Sequence, residues 1–353
     1  MPSKNRLPAA DFAGKFIDDG RILLMNEIGS GGFGRVYKAI DTSSPPDMPR
    51  FFAVKCMAKP EANSRQAAFQ ANELLFHQLV SDHPYIVTFI KTFSDDSCVY
   101  FVLQLAAGDL FHTLTQDGLL SSKDDAIVKK VFLQIIDALD HCHQKRVFHR
   151  DLKPDNILVS HNGDVLLSDF GLSTSASSSR EFSCGSGNYM SPECIGEETR
   201  LAPYSHRQND IWSLGVLLTN MISNRHPWHV AKSTDDCFQA YMNNPDWLRQ
   251  MLPISHTASS IIRRIFVVDP SSRITLPELR REILGADTFF RDHDVPLTLE
   301  LPPPDKERYS CDPVDSTRRL PEPEGDKKAG KVGVRRDVLV REYMGSCNGC
   351  DII

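Results

Sequence analysis

The sequence predicts an α+β fold in two lobes, a small strand-rich lobe followed by a larger helical one. Three observations carry this. The first hundred or so residues hold short apolar runs that alternate like strands and are punctuated by glycines. After Leu103 the helical period takes over, most clearly where Ile127, Val131, Ile135 and Leu139 recur every four residues. At 353 residues and 41% hydrophobic, the chain is long enough for one two-lobed domain with its own large core, plus a tail.

In chain order, residues 1–19 read as a short leader and 20–103 as the first lobe. Within that lobe the strand-like runs Arg21 to Ile28 and Arg35 to Ile40 flank a glycine cluster. Ser-Ser-Pro-Pro in the Thr42–Arg50 loop then excludes regular structure. Phe52-Ala53-Val54-Lys55 follows, and a helix-like run extends from Ser64 to Val80. Residues 104–107 read as a linker and 108–290 as the second lobe. Its helical patterns cover Asp109–Gln116, Lys123–Gln144 and Gln208–Ile222, with short helices over Thr257–Val267 and Leu276–Leu284. From 291 a mobile tail is expected, because beyond Pro296 the composition turns to Pro, Glu, Asp, Lys and Arg.

The chemistry is concentrated in a few stretches. Phe148-His149-Arg150-Asp151-Leu152-Lys153-Pro154-Asp155-Asn156 offers a base (Asp151), a cation two residues on (Lys153) and an amide ligand (Asn156). Asp169-Phe170-Gly171 offers an acid for a divalent metal beside a glycine that lets the backbone turn. Ile28-Gly29-Ser30-Gly31-Gly32-Phe33-Gly34-Arg35-Val36 is a glycine loop whose backbone N–H groups can approach phosphate oxygens. A dinucleotide-binding fold also uses GxGxxG but needs a helix directly after it, whereas here a strand-like run follows. Strand, glycines, strand is the order of a hairpin lid over a nucleotide. Glu73 lies 18 positions after Lys55 in the helix-like run. Alone it is an ordinary solvated residue; beneath a glycine lid it becomes a partner for Lys55.

Together these motifs, with Ser191-Pro192-Glu193, resemble the eukaryotic protein kinases over roughly Gly20 to Leu284. Gly108-Asp109-Leu110-Phe111, Phe132-Leu133-Gln134-Ile135, Cys184 to Cys194 and Arg273 to Leu279 are most similar to the fungal Ran-type, meiosis-inhibiting kinases. The resemblance implies the two-lobed protein-kinase fold and magnesium- and ATP-dependent phosphorylation of protein serine or threonine. It places Lys55, paired with Glu73, on the α and β phosphates, and Asp169 and Asn156 on magnesium. Asp151 would orient the substrate hydroxyl, Lys153 would offset charge on the transferred group, and Ser186 would brace both. Adenine would lie between Val36 and Ala53 above and Leu158 below, under Ile28, Gly29, Gly31 and Gly34. Leu103 would guard the back of the pocket, with backbone hydrogen bonds from Gln104 to Ala106 and Asp109 near the ribose or a basic substrate residue. Lys153-Pro154-Asp155 favours serine or threonine over tyrosine as acceptor. Growth, nutrient or meiotic control follows by family analogy alone.

The resemblance also sets architectural expectations. Glu193 should pair with Arg273, and Asp210 should hold the backbone near Arg150. The usual phosphorylation slot falls at Phe182, which has no hydroxyl, so Arg150 needs Glu181 or a phosphorylated Ser183. His77 departs from the family, which places an apolar residue between Phe89 and Phe170; a packed neutral histidine is favoured over a pH switch. The rival function is a partner-binding pseudokinase, which would normally have lost Lys55, Asp151, Asn156 or Asp169; none is lost.

Composition bounds the rest. A formal charge of −6 and a pI near 6.1 give no nucleic-acid footprint. No run of 18 apolar residues and no secretory signal is visible, and nine unevenly spaced cysteines fit a reducing compartment, cytoplasm or nucleus. A monomer acting on protein substrates is expected. The end, Cys350-Asp351-Ile352-Ile353, is similar to a prenylation box, with Cys347 and nearby Lys and Arg as further membrane signals. An unmodified tail is the favoured reading, with a lipid tether as the alternative.

Overall fold

The computed structural model describes residues 11–31, 34–110, 123–197 and 201–291. Gly32, Phe33, residues 111–122 and the tail with Cys347 and Cys350 lie outside the described residues.

Six strands form one antiparallel sheet: β1 (Phe16–Ile17), β2 (Ile22–Gly31), β3 (Gly34–Asp41), β4 (Phe51–Ala58), β5 (Phe89–Ser94) and β6 (Cys98–Gln104), in the order β1-β2-β3-β4-β6-β5. The two-residue alternation of these strands sends Ile22, Leu24, Tyr37, Ala39, Val54, Cys56, Tyr100 and Val102 into one buried cluster. The sheet begins earlier than the sequence suggests. Phe16 and Ile17 pair with Leu23 and Ile22, and Gly14 N–H donates to the Leu24 carbonyl, so the end of the segment set apart as a leader belongs to the lobe. Two paired residues are too short to show a period, which is why the strand was not legible.

Helix α1 (Arg65–Val80) is capped by Ser64, whose side chain accepts from Ala67 N–H, and it carries Glu73 and His77 on its buried face. Across the linker, β7 (Gly108–Asp109), β8 (Ile157–Val159) and β9 (Val165–Leu167) make a small antiparallel sheet. Asp109 is therefore extended, opposite Leu158, and does not start the helix expected over Asp109–Gln116. Pairing with β8 keeps Asp109 itself extended, Leu110 is already helical, and 111–116 lie outside the described residues.

The second lobe is built on α2 (Asp125–Gln144), capped by Asp124. Val128, Val131, Phe132, Ile135, Ile136 and Leu139 of α2 enter the larger core, each worth about 1.5–3 kcal/mol on burial. The short helix α3 (Pro192–Ile195) precedes α4 (His206–Ser223), which is buried along almost its whole length. Around them lie α5 (Asp236–Asn243), α6 (Trp247–Met251), α7 (His256–Ile265) and α8 (Leu276–Gly285), the last closed by a Thr275–Glu278 capping box. Among the described residues, no helix is long and apolar enough to cross a membrane.

Candidate active site

Lys55 is the natural starting point, because β4 carries it under the sheet with its side chain only 11% exposed. A charge so placed needs partners. Its Nζ is ion-paired with Glu73 Oε1 of α1 and lies 3.4 Å from Asp169 Oδ1, just beyond β9. Burial alone would drive the Lys55 proton off; the two carboxylates outweigh it and raise the pKa, so the ammonium persists. Burial likewise pushes the Asp169 carboxyl up, but Lys55 and the Gly171 N–H hold it below the usual carboxylate range. Asp169 sits at φ +59°, a left-handed conformation that a carboxylate residue adopts at some cost.

The second half of the site precedes β8. Asp151 is gripped from three sides: Ser186 Oγ donates to Oδ1 (2.8 Å), Asn156 Nδ2 donates to Oδ2 (3.1 Å), and Lys153 Nζ lies 3.2 Å from Oδ2. Lys153 Nζ also donates to Ser186 Oγ at 3.0 Å. Base, cation, amide and hydroxyl thus form one cluster. Asp210 supports it from behind, accepting from His149 N–H (2.9 Å) and Arg150 N–H (2.8 Å) while fully buried. Burial pushes the Asp210 carboxyl up, but these donors and His143 hold it below its ordinary value. Ser168 N–H and Oγ both donate to the Asn156 carbonyl, which ties the metal-type residues Asn156 and Asp169 into one frame.

The nucleotide-facing positions are distributed as follows. Val36 of β3 lies opposite Lys55 of β4, and Ala53 opposite Lys38 on one side and Leu103 on the other. Leu158 pairs with Asp109. Gly29 and Gly31 end β2, with Ile28 half exposed. Gly34 must be glycine: at φ +149° a Cβ would stand 2.4 Å from the Cys56 carbonyl oxygen. Gln104 departs from expectation in part. Its N–H donates to the Thr88 carbonyl and its side chain accepts from Thr88, so the N–H is already engaged within the lobe. Ala106 is half-buried in the linker.

Residues 23–283 match the family model described as the protein kinase domain. This chain belongs to that family. The kinase domain is 40% identical over 285 residues to the Schizosaccharomyces pombe protein named negative regulator of sexual conjugation and meiosis, covering 75% of this chain and 60% of that protein. It is 33% identical to the serine/threonine-protein kinase VHS1 of Saccharomyces cerevisiae (73% and 60% covered). To the S. pombe serine/threonine-protein kinase ksp1 it is 34% identical (69% and 52% covered). The chain therefore spans between about half and 60% of the length of these curated relatives.

The kinase site fits magnesium. Asn156 commits its Nδ2 to Asp151, leaving its oxygen end as the ligand-type end, and Asp169 keeps a carboxylate 37% exposed. Two hard oxygen donors suit a cation that takes its other ligands from phosphates and water. Among the described residues no cluster of three or more His, Cys, Asp or Glu forms a cage that would compete for it.

Two features of the kinase site were not legible in the sequence. His149, within the Phe148–Asn156 stretch, contacts the Ser168 carbonyl through Nε2 (3.0 Å) and packs edge-on against Phe170. His143 reaches Asp210 at 2.8 Å from α2. Only three-dimensional proximity identifies such partners; His143 and Asp210 lie 67 residues apart.

His77 is sandwiched between Phe89 and Phe170, at ring separations of 5.4 and 5.0 Å, and its Nε2 contacts the Val87 carbonyl at 2.7 Å. Burial pushes its pKa down to about 4. The unfolded chain therefore takes up this proton first as pH falls below about 6.5, and stability is lost progressively down to about pH 4. The shift corresponds to about 3 kcal/mol. His77→Leu is expected to flatten this acid loss, read as denaturation midpoints at pH 7 and pH 4.5. Equal losses in both proteins would rule out the assignment.

Proposed function

We propose that the chain is an ATP- and magnesium-dependent protein serine/threonine kinase that transfers the γ-phosphoryl group of ATP to protein hydroxyls. The observation that carries this is the Asp151–Lys153–Ser186–Asn156 cluster. It sets a carboxylate acceptor and a fixed ammonium within 3.2 Å of each other beside Arg150 and Asp210. Asp151 accepts the hydroxyl proton as the nucleophile attacks, and Lys153 offsets negative charge on the transferred group. Lys55, held by Glu73, positions the α and β phosphates. Bound magnesium would supply neutralisation of the phosphate charge, with Asp169 and Asn156 as its ligands from this chain. The pseudokinase alternative has no observation in its favour, since Lys55, Asp151, Asn156 and Asp169 are all present and in mutual register. The test is γ-phosphoryl transfer from labelled ATP to a peptide library, with magnesium omitted as one arm and phosphoamino-acid analysis of the product. Phosphotyrosine alone would overturn the acceptor class.

A basic residue near the acceptor is favoured by Asp109 on β7 and by the exposed Asp155, which lies between Lys153 and Asn156 in the catalytic stretch. At about 4 Å, each carboxylate contributes on the order of 1 to 4 kcal/mol to an arginine, depending on dielectric. A peptide array should show Arg or Lys preference that weakens in the Asp109→Ala, Asp155→Ala double variant. An unchanged array pattern in the double variant refutes this.

A further inference from the structure

Between Asp169-Phe170-Gly171 and Ser191-Pro192-Glu193, the activation segment is gripped by a single buried histidine. His206, at the start of α4, donates its backbone N–H to the Ser177 carbonyl (3.1 Å), and its Nδ1 lies 2.7 Å from the Ala176 carbonyl. Its Nε2 meets Ser179 Oγ at 2.9 Å. A carbonyl can only accept, and burial keeps the ring below the usual histidine range and neutral. The proton is thus assigned to Nδ1, and Nε2 accepts the Ser179 hydroxyl proton. Alongside, Ser178 and Ser179 (β10) pair with Ser205 and Tyr204 (β11).

Ser179 passes the restraint on. Its Oγ accepts the Glu181 N–H at 3.1 Å, while the Glu181 carbonyl accepts from Tyr204 OH at 2.9 Å. The Glu181 carboxylate then takes both Nη1 and Nη2 of Arg150 at 3.1 Å. Arg150 adjoins Asp151 and hangs from Asp210 by its own N–H. Glu181 has a side chain 71% exposed, and on a free loop it would swing in water; the Arg150 side chain is 6% exposed and needs a fixed counter-charge. The backbone of Glu181 must therefore be held, and Ser179 and Tyr204 hold it. Phe182, in the slot where a phosphorylated residue would stand, is packed on Tyr204 and against Gly196, where a Cβ would lie 2.4 Å from its ring.

We propose that His206 and Ser179 are positioning residues for phosphoryl transfer, placing Glu181 against Arg150 as the fixed acidic counterpart that phosphorylation of this segment otherwise supplies. This rests on the kinase reading above. Because Ser179 acts through its free hydroxyl, a phosphate on it would remove the proton that His206 accepts and set a dianion beside Glu181. The same contact thus makes Ser179 a site where modification switches transfer off.

The experiment uses the full chain from bacteria after phosphatase treatment, which should remain active. Ser179→Ala should lower kcat by on the order of 10- to 100-fold, the size expected for misplaced catalytic groups, with KM for ATP within about two-fold. Ser179→Thr, which restores the hydroxyl, should recover most of it, and Ser179→Asp should be as weak as Ser179→Ala. In a Glu181→Gln background, Ser179→Ala should add little, since both act through Arg150. Hydrogen exchange at the Glu181 amide, read without ATP, should quicken in Ser179→Ala. Full activity in Ser179→Ala, failure of threonine to rescue, additive losses, unchanged exchange, or loss of wild-type activity on phosphatase treatment would each overturn the proposal. A wild-type protein that transfers no phosphate even before phosphatase treatment sinks the kinase reading instead, and the exchange measurement still judges the lock.

Discussion

Asp151→Asn is expected to lower phosphoryl transfer about 10²- to 10⁴-fold, the usual cost of losing a general base. The substitution keeps the shape of the side chain but replaces an acceptor by an amide. Asn156 Nδ2 and Lys153 Nζ meet the Oδ2 position and so select the amide oxygen there, which leaves the amide nitrogen beside Ser186 Oγ at the Oδ1 position. Neither end of the amide can take up the hydroxyl proton, so catalysis falls while packing survives. Thermal midpoint and ATP binding should stay close to wild type, which separates chemistry from folding. Lys55→Met and Asp169→Ala should fail as well, by losing the phosphate contact and the carboxylate for magnesium, respectively. Their loss should show in nucleotide binding as well as in turnover. Wild-type-like turnover in the Asp151 and Asp169 variants would falsify the mechanism.

Arg273→Ala should be the most destabilising single substitution among the ion pairs, at about 3–5 kcal/mol. The Arg273 side chain is fully buried, and its Nη1 and Nη2 reach Glu193 Oε1 and Oε2 at 2.6 and 3.2 Å. The same guanidinium donates to the Gln208 and Val267 carbonyls and lies over the Trp212 ring at 4.9 Å. Removing it leaves the buried Glu193 charged or forces it to take a proton, and orphans the two carbonyls. Lysine is no substitute, because one ammonium cannot serve a forked carboxylate and two carbonyls in the same plane. Denaturant midpoints should fall sharply for Arg273→Ala and less for the double variant Arg273→Met, Glu193→Leu, where no charge is stranded. A double variant as unstable as the single one would show that the cost is packing and not the stranded charge.

How much of this was readable in advance depends on whether the cause is local. Helix α2 begins after Asp124 because an acidic cap precedes an apolar period, and the sequence reading places its start within two residues. The contacts of Lys55 with Glu73, Glu193 with Arg273 and Asp210 with the Arg150 backbone are those the family resemblance implies, and each is found in the fold. What the sequence hides is made by distant segments. Strand β1 exists because Phe16 and Ile17 meet Leu23 and Ile22, and Asp109 is extended because β8 pairs with it. Likewise, β10 and β11 are two residues each, too short to show a period. His206 gives no local sign at all: its three partners, Ala176, Ser177 and Ser179, lie about thirty residues away.

The small bridge beside His77 has a mechanical consequence. Leu167 N–H donates to the Tyr85 carbonyl and its own carbonyl accepts from Val87 N–H, so Ile86 and Leu167 are joined as neighbouring strands. Further ties lie at the linker, where Ala107 N–H donates to the Val159 carbonyl, at the end of α1, where Lys145 Nζ donates to the Leu79 carbonyl and to Asp82, and at Lys55, which reaches Asp169. Ties gathered toward the β5 and linker edge leave the sheet its easiest motion as a swing about that edge. Such a swing moves residues in proportion to their distance from the edge. The hairpin end at Gly31 and Gly34, on strands separated from β5 by β4 and β6, has the long arm. The Tyr85–Val87 stretch sits at the fulcrum and His77, bonded to Val87, close beside it. The fold is thus geared so that the phosphate lid can travel while the packing around Phe170 turns almost in place.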